Sequence, residues 1–177
     1  MKLEENVQLA QNGDKDAFIR LINHIELKLY GVARAIVKRD EDCADAIQEA
    51  ILKAYRALHT LKDPAYFKTW MFRILIHECQ QILRRQKRIV TVSEFPTRPS
   101  HSSSDYERID LREAVDRLEE TLRIVITLHY FEDMPLKQIA ELLETPEGTI
   151  KSRLNRARST LAEWLKIPEE RKTGYEC

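Results

Sequence analysis

Apolar residues recur every three or four positions along most of the chain, which is the spacing of helices that bury one face. The pattern predicts helices over residues 2–11, 15–37, 43–58, 63–88, 109–120 and 122–131. Asp14 is the predicted N-cap of the second helix, and Asp40 or Asp42 that of the third. Only 4 glycines and few β-branched runs interrupt the pattern, so the predicted fold is all-α.

Residues 136–161 predict two short helices joined by a tight turn. The first helix has an apolar face that we expect to be buried, formed by Ile139, Ala140, Leu142 and Leu143. The second helix has another, formed by Ile150, Leu154, Ala157 and Leu161. Between them, Thr145 is the predicted N-cap, Pro146 the first helical residue, and Glu147 a partner for the positive helix end.

The second of these helices is cationic over the rest of its surface. No acidic residue occurs between Thr149 and Arg158, and the bases there are Lys151, Arg153, Arg156 and Arg158. A packed helix with an uncompensated cationic face is what docking in the major groove of DNA requires. The alternative is an ordinary helical hairpin whose solvated face is basic.

Charge is balanced over the chain but segregated along it. The formal net charge is +0, from 29 basic and 29 acidic residues. Residues 40–49 are acidic, whereas residues 64–90 are rich in bases and hold a lone acid, Glu78. Such segregation lets one face meet phosphate while another meets a basic protein.

The basic segment at residues 64–90 also contains aromatic side chains, namely Tyr66, Phe67, Trp70 and Phe72. Aromatic rings among cations suit unpaired nucleotides, because bases can stack on the rings while the cations pair with the backbone. The alternative is that the aromatic residues are core. We expect this of Phe67 and Phe72, and Trp70 fits both interpretations equally well.

The helical pattern ends at residue 90, where a segment rich in proline and serine begins. Two helical domains joined by a flexible linker are therefore predicted. The first is an N-terminal bundle over residues 1–89, the linker covers 90–108, and a four-helix domain with the helix-turn-helix covers 109–167. Residues 168–177 are a polar tail.

No enzyme, cofactor or metal site is predicted. The sequence contains no glycine-rich phosphate loop, GxSxG or HExxH motif. His77-Glu78-Cys79 are adjacent on one helix and point in different directions, which argues against zinc. Three dispersed cysteines suggest a reducing compartment, and no apolar N-terminal run or membrane span is present, so we expect a cytoplasmic protein.

Three stretches of the sequence resemble those of extracytoplasmic-function (ECF) sigma factors, which belong to the sigma-70 family of bacterial RNA polymerase subunits. The first is Asp45-Ala46-Ile47-Gln48-Glu49 with Tyr55, similar to the segment that docks on the polymerase clamp helices. The second, residues 67–74, resembles the segment that melts and holds the −10 element. The third, residues 146–158, resembles the helix that recognises the −35 element. The likeness covers most of residues 3–165.

The resemblance implies a role for each set of residues. Polymerase contact falls to Asp45, Gln48 and Glu49. Contact with the opened −10 strand falls to Trp70, Arg73, His77, Gln81, Arg84, Arg85, Lys87 and Arg88. Contact with −35 duplex falls to Thr149, Lys151, Ser152, Arg153, Asn155, Arg156 and Arg158, of which Lys151 and Arg153 are expected mainly at phosphates and Ser152, Asn155 and Arg156 at base edges.

Several residues depart from the family pattern. His77 and Gln81 stand where relatives often carry Asn and Asp, which changes the placement of hydrogen-bond donors and acceptors for the preferred base. Glu144 replaces a common Gly and would cost about 1 kcal/mol if its backbone is left-handed. Asp133 lies where a turn of Gly-x-Ser is usual, and its side chain is expected to tolerate the left-handed region and to cap the next helix.

The resemblance also implies partners: core RNA polymerase, promoter DNA and an anti-sigma factor, which in relatives is often membrane-anchored. Two other functions are compatible with parts of the sequence. One is a stand-alone helix-turn-helix regulator with a helical N-terminal sensor domain, which would bind duplex DNA tightly without polymerase. The other is a helical adaptor that binds only proteins, against which the basic recognition helix argues.

Overall fold

A computed structural model describes residues 3–92 and 111–165, with the backbone alone for residues 89–92. The described residues form helices and turns and no strand, which confirms the all-α prediction. The chain divides into two compact units, Met1–Arg98 and Pro99–Cys177, and each has its own hydrophobic core. The chain thus has the two helical domains that the sequence predicts.

The N-terminal unit contains four helices: α1 (Leu3–Gln11), α2 (Lys15–Val37), α3 (Asp40–Ala57) and α4 (Phe67–Val92). Two 3₁₀ turns, Leu58–Thr60 and Pro64–Tyr66, connect α3 to α4. α2 is the central helix, since it packs against α1, α3 and α4. Its buried face carries the apolar residues that the pattern predicts, among them Phe18, Leu21, Ile25, Leu29, Val32 and Ile36.

The buried face of α3 is made of small side chains. Cys43, Ala46, Ala50 and Ala54 are all fully buried. Small side chains allow neighbouring helices to approach closely, and α3 packs against both α2 and α4. Leu52 and Tyr55, which the pattern places with the apolar residues of this helix, are instead about half-exposed.

Two predicted helix starts in this unit are wrong. α3 begins at Asp40 with Arg39 as its N-cap, because the Asp40 carboxylate accepts from the Tyr30 hydroxyl (2.9 Å) and from Arg34 (2.6 Å) instead of capping. Asp42 also lies inside the first turn of α3, where acids complement the positive helix end. α4 begins at Phe67, since Asp63 caps the 3₁₀ turn before it by accepting from the Ala65 amide. Asp14 caps α2 as predicted, through the Ala17 amide.

The C-terminal unit contains α5 (Leu111–Arg117), α6 (Glu120–Ile126), α7 (Leu136–Leu142) and α8 (Glu147–Trp164). A π-helical turn, Thr127–Phe131, follows α6. The break between α5 and α6 falls at Leu118-Glu119, before the position that the sequence predicts. The side chain of buried Arg123, a residue of α6, reaches back to this break, and its guanidinium donates to the Leu118 carbonyl at 2.6 Å.

The backbone turns around α7 depend on two residues with positive φ. Asp133 has φ 53° and Glu144 has φ 49°, so both adopt the left-handed conformation that the sequence suggests. Asp133 does not cap α7, whose N-cap Pro135 receives no side-chain hydrogen bond. Thr145 does not cap α8 either, because its hydroxyl donates to the Leu143 carbonyl and Pro146 is the N-cap.

The predicted linker and the predicted tail fall largely outside the described residues. α4 extends to Val92, and the rest of the predicted linker lies outside the described residues, as do Ile109, Asp110 and the predicted tail. None of the described helices is long and apolar enough to cross a membrane.

Replacement of Glu144 by glycine should stabilise the C-terminal unit. Glycine removes the steric cost of the left-handed backbone, which is about 1 kcal/mol for a residue with a Cβ. Amide hydrogen exchange in α7 and α8 would measure the gain. Glu141→Gly is the matched control: it lies exposed inside α7 and should destabilise by about 1 kcal/mol. Equal losses in both variants would contradict the assignment of strain to Glu144.

Candidate nucleic-acid interface

The second helix of the helix-turn-helix, α8, is divided into an apolar face and a cationic face. Ile150, Leu154 and Ala157 are buried as predicted, and Leu161 is half-buried. On the other face six of the seven predicted −35 residues are exposed, namely Thr149, Lys151, Ser152, Asn155, Arg156 and Arg158. Arg153 is half-buried at the margin of this face.

The polar groups of α8 are largely uncommitted to other side chains. Within residues 111–165 no acidic side chain forms an ion pair with Lys151, Arg153, Arg156 or Arg158. Ser152 donates its hydroxyl to the Gly148 carbonyl at 2.9 Å, so its oxygen is oriented to accept from an outside donor. The cationic face is therefore uncompensated, as phosphate binding requires.

Helix α4 has the same division into two faces. Phe67, Met71, Phe72 and Leu75 are completely buried, which confirms the prediction that Phe67 and Phe72 are core. The predicted −10 residues lie on the remaining surface: Arg73, His77, Arg84, Arg85, Lys87 and Arg88 are exposed, and Trp70 and Gln81 are half-buried. No described acid forms an ion pair with Arg73, Arg84, Arg85 or Arg88.

Trp70 lies at the boundary between the core and the exposed face of α4. Its ring is 6.2 Å from that of buried Phe67, at an interplanar angle of 37°. The indole is thus in part packed next to the core and in part accessible. This position allows a base to stack on a ring whose orientation is already fixed.

The acid in the middle of α4, Glu78, is buried although its neighbour His77 is exposed. Its Oε1 accepts from Nζ of Lys53 on α3 at 2.7 Å. The ion pair neutralises the acid on the side of α4 that faces α3. No local sequence pattern pairs these two residues, since they are 25 positions apart.

The three predicted polymerase contacts, Asp45, Gln48 and Glu49, are all exposed on α3. They line one wall of a polar groove of about 400 Å³. The opposite wall comes from α4 and includes Gln81 and Arg85, from the predicted −10 set. The fold thus brings residues of two predicted sites, far apart in sequence, to the same groove.

An apolar groove of about 630 Å³ lies on the other side of α3, between it and α2. Leu27 is 88% exposed there, and Tyr30 and Leu52 are about half-exposed. Gln48 lines this groove too, which makes it continuous with the predicted polymerase contacts. Sequence analysis missed this surface, because the pattern places Leu52 with the apolar residues of its helix, whereas Leu27 lies between Ile25 and Leu29 and off the apolar stripe of α2.

The two cysteines of the N-terminal unit, Cys43 and Cys79, are both buried and form no disulfide. Burial raises the pKa of the Cys43 thiol to about 11, so it stays protonated near neutral pH. Among the described residues no three side chains of His, Cys, Asp or Glu are grouped so that they could hold a metal ion.

The sequence of both units matches known protein families. The model of sigma-70 region 2 matches residues 21–89, which include most of α4 and the exposed acids of α3. The model of sigma-70 region 4 matches residues 108–161, which include α7 and most of α8. A relative in Bacillus subtilis, the RNA polymerase sigma factor SigV, is 33% identical over 81% of this chain and 87% of its own. The chain belongs to the ECF sigma factors.

Other ECF sigma factors agree in sequence and structure. The sigma-E factor of Haemophilus influenzae is 30% identical, covering 88% of this chain and 90% of the relative. The sigma factor RpoE of Bartonella quintana, solved in complex with the anti-sigma factor NepR, is 25% identical with a TM-score of 0.71. That likeness covers 86% of this chain and 98% of the solved one.

As a sigma factor, the chain directs promoter-specific initiation of transcription by RNA polymerase. The stand-alone regulator with a sensor domain is not favoured, because the N-terminal unit matches a sigma region and not a sensor domain. The adaptor that binds only proteins is not favoured either, because both units match regions of sigma factors.

Proposed function

We propose that this ECF sigma factor divides promoter recognition between the exposed faces of α4 and α8 and docks on core polymerase through α3. The observation that carries the proposal is that both cationic helices bury an apolar face, while no described acid forms an ion pair with the arginines on the exposed face of α4 or with Lys151, Arg153, Arg156 and Arg158 of α8. On α4 the half-buried Trp70 stands next to the exposed Arg73, whereas the exposed Trp164 of α8 is the last residue of that helix, beyond its basic residues. The two helices would then bind two different forms of DNA, opened and duplex.

The duplex −35 element fits α8. Asn155 and Arg156 are exposed on the face opposite Ile150 and Leu154, so both can reach base edges when the helix enters the major groove. Lys151 and Arg153 would pair with phosphates and fix the register of the helix. Ser152 would accept from a base, since its own proton is donated to Gly148.

The opened −10 strand fits α4. Trp70 offers an accessible ring face, and His77 lies exposed two turns further along the same helix. Arg73 and the basic side chains near the end of the helix would lie along the phosphate backbone of the strand. Burial of Glu78 against Lys53 removes the negative charge that would otherwise repel this strand.

Core polymerase would dock on α3 through two adjoining surfaces. The acids Asp45 and Glu49 suit a basic coiled coil, and the apolar groove around Leu27 and Leu52 suits its hydrophobic side chains. Gln48 belongs to both surfaces. Binding energy would be concentrated at the apolar groove, whereas the charges would mainly speed association.

The same proposal includes the regulation and location of the protein. An anti-sigma factor is a partner of the solved relative from Bartonella quintana, and we infer one for this chain. Because its promoters would lie on the chromosome, the protein would act in the bacterial cytoplasm. It would have no enzymatic activity of its own, because binding energy opens the strands.

Polymerase docking is tested by two variants of the α3 surface. The double variant Gln48→Lys/Glu49→Lys should slow association with core polymerase and alter its salt dependence. Leu27→Ser should weaken the complex by about 1.5–3 kcal/mol, the value of one buried apolar side chain, without unfolding the domain because Leu27 is 88% exposed. Fluorescence polarisation with labelled chain measures both.

A matched control for charge is Glu5→Lys/Gln8→Lys on α1, where both residues are exposed and the change in net charge is the same. This control should bind core polymerase normally. Equal weakening in the control would mean that net charge, and not the α3 surface, governs docking.

Strand capture is tested by Trp70→Ala and His77→Ala. Both should leave the affinity for core polymerase unchanged and reduce promoter opening, with about 1–3 kcal/mol lost for one base–aromatic stack. Permanganate reactivity of unpaired thymines reports opening. A suitable promoter is one selected by transcription with the wild-type chain from a library of random −35 and −10 elements. Unchanged reactivity of the Trp70 variant would make Trp70 a core residue only.

The two kinds of −35 contact are separated by Arg156→Ala and Lys151→Ala. Arg156→Ala should relax preference at one or two base pairs by about 1–3 kcal/mol. Lys151→Ala should weaken binding to all DNA sequences alike. It should also lower the slope of log affinity against log salt concentration by about one unit. Transcription from the same library at two salt concentrations compares them. A uniform loss for Arg156→Ala, or an altered base preference for Lys151→Ala, would contradict the proposed orientation of α8.

A further inference from the structure

The last residue of α1, Gln11, reaches a part of the chain about fifty positions away. Its Nε2 donates two hydrogen bonds, to the Leu58 carbonyl at 3.0 Å and to the Leu61 carbonyl at 2.7 Å. Carbonyl oxygens only accept, so the amide nitrogen has to face them and both of its protons are used. Gln11 lies outside the residues that match sigma-70 region 2.

The carbonyls that Gln11 binds belong to the end of α3. Leu58 is the C-cap of α3 and Leu61 ends the 3₁₀ turn that follows. Carbonyls at the C-terminus of a helix have no partner within the helix. Without Gln11, the Leu58 oxygen would keep the Leu61 amide, but the Leu61 oxygen would lose its 2.7 Å bond.

This turn is the connection between the polymerase-docking helix and the strand-binding helix. α1 packs against both 3₁₀ turns of the connection, and Leu58 and Leu61 are buried under it. The second turn leads directly into Phe67 and, one helical turn later, Trp70. The position of the connection therefore sets where α4 begins relative to α3.

We propose that Gln11 is a positioning residue for promoter opening. Its side-chain amide clamps the α3–α4 connection, so that docking of α3 on polymerase holds the first turns of α4, with Trp70, in the position that captures the opened strand. The inference rests on the proposed function. It assigns to α1, which the region 2 match does not include, a role in strand capture.

Three substitutions at this position separate hydrogen bonding from side-chain size. Gln11→Met keeps the length and removes both donors, and Gln11→Glu places an acceptor against two carbonyls. Gln11→Lys keeps donors that can bind both oxygens. Gln8→Met is the matched control, because Gln8 is exposed on the same helix. All are compared at a temperature at which circular dichroism shows each variant folded.

The readouts are the affinity for core polymerase and the rate of permanganate-detected opening, on the promoter selected with the wild-type chain. We expect Gln11→Met and Gln11→Glu to open the promoter about tenfold more slowly, which corresponds to about 1.4 kcal/mol and to one or two net hydrogen bonds. Their affinity for core polymerase should stay within about twofold. Gln11→Lys should recover most of the rate, and Gln8→Met should behave as wild type.

Normal opening by Gln11→Met would overturn the role of Gln11. So would a loss of core affinity as large as the loss of opening, which would indicate general destabilisation, or a folded Gln11→Lys variant that opens no faster than Gln11→Met. Failure of the wild-type chain to open any promoter with core polymerase would instead overturn the proposed function and, with it, this inference.

Discussion

The packing of α4 is the constraint on which the N-terminal unit depends. The helix buries Phe67, Met71, Phe72 and Leu75 completely, and it packs against both α2 and α3. Burial of one face of a helix fixes the direction of the other face, because side chains three and four positions apart lie together. Trp70, Arg73 and His77 are exposed or half-exposed for that reason, and their orientation needs no ligand to be established.

The same principle operates in α8, with a different result. Its buried residues Ile150, Leu154 and Ala157 are aliphatic, and no aromatic side chain lies between Lys151 and Arg158 on its exposed face. A cationic face without aromatic rings fits the major groove of duplex DNA, whereas a tryptophan among basic residues fits an unpaired strand. In both helices the core determines which side chains are exposed, and under the proposed function the chemistry of those side chains determines which form of DNA each helix would bind.

Much of this arrangement was predictable because helical periodicity reports burial. The apolar faces of α2 and α8 follow from the sequence, and the left-handed backbone at Glu144 agrees with the glycine that relatives commonly carry there. Helix ends were less predictable, because they depend on competition between partners. Asp40 does not cap α3 since Tyr30 and Arg34 bind its carboxylate, and Thr145 does not cap α8 since its hydroxyl bonds to Leu143.

Contacts distant in sequence were not predictable at all. The pairs Lys53–Glu78 and Gln11–Leu61 are 25 and 50 positions apart, and no local pattern relates their members. The exposed groove at Leu27 was missed for a different reason. Periodicity marks apolar residues that share a face, but it does not tell whether that face meets the core or a partner.

We propose that α8 and α4 recognise a promoter only when the chain is bound to core polymerase. The most direct test is a footprint on the selected promoter with the chain alone, with core polymerase alone, and with both together. We expect protection of the −35 element and permanganate-reactive thymines in the −10 element only when both the chain and core polymerase are present. Tight protection by the chain alone, with no unpaired thymines after core polymerase is added, would contradict it.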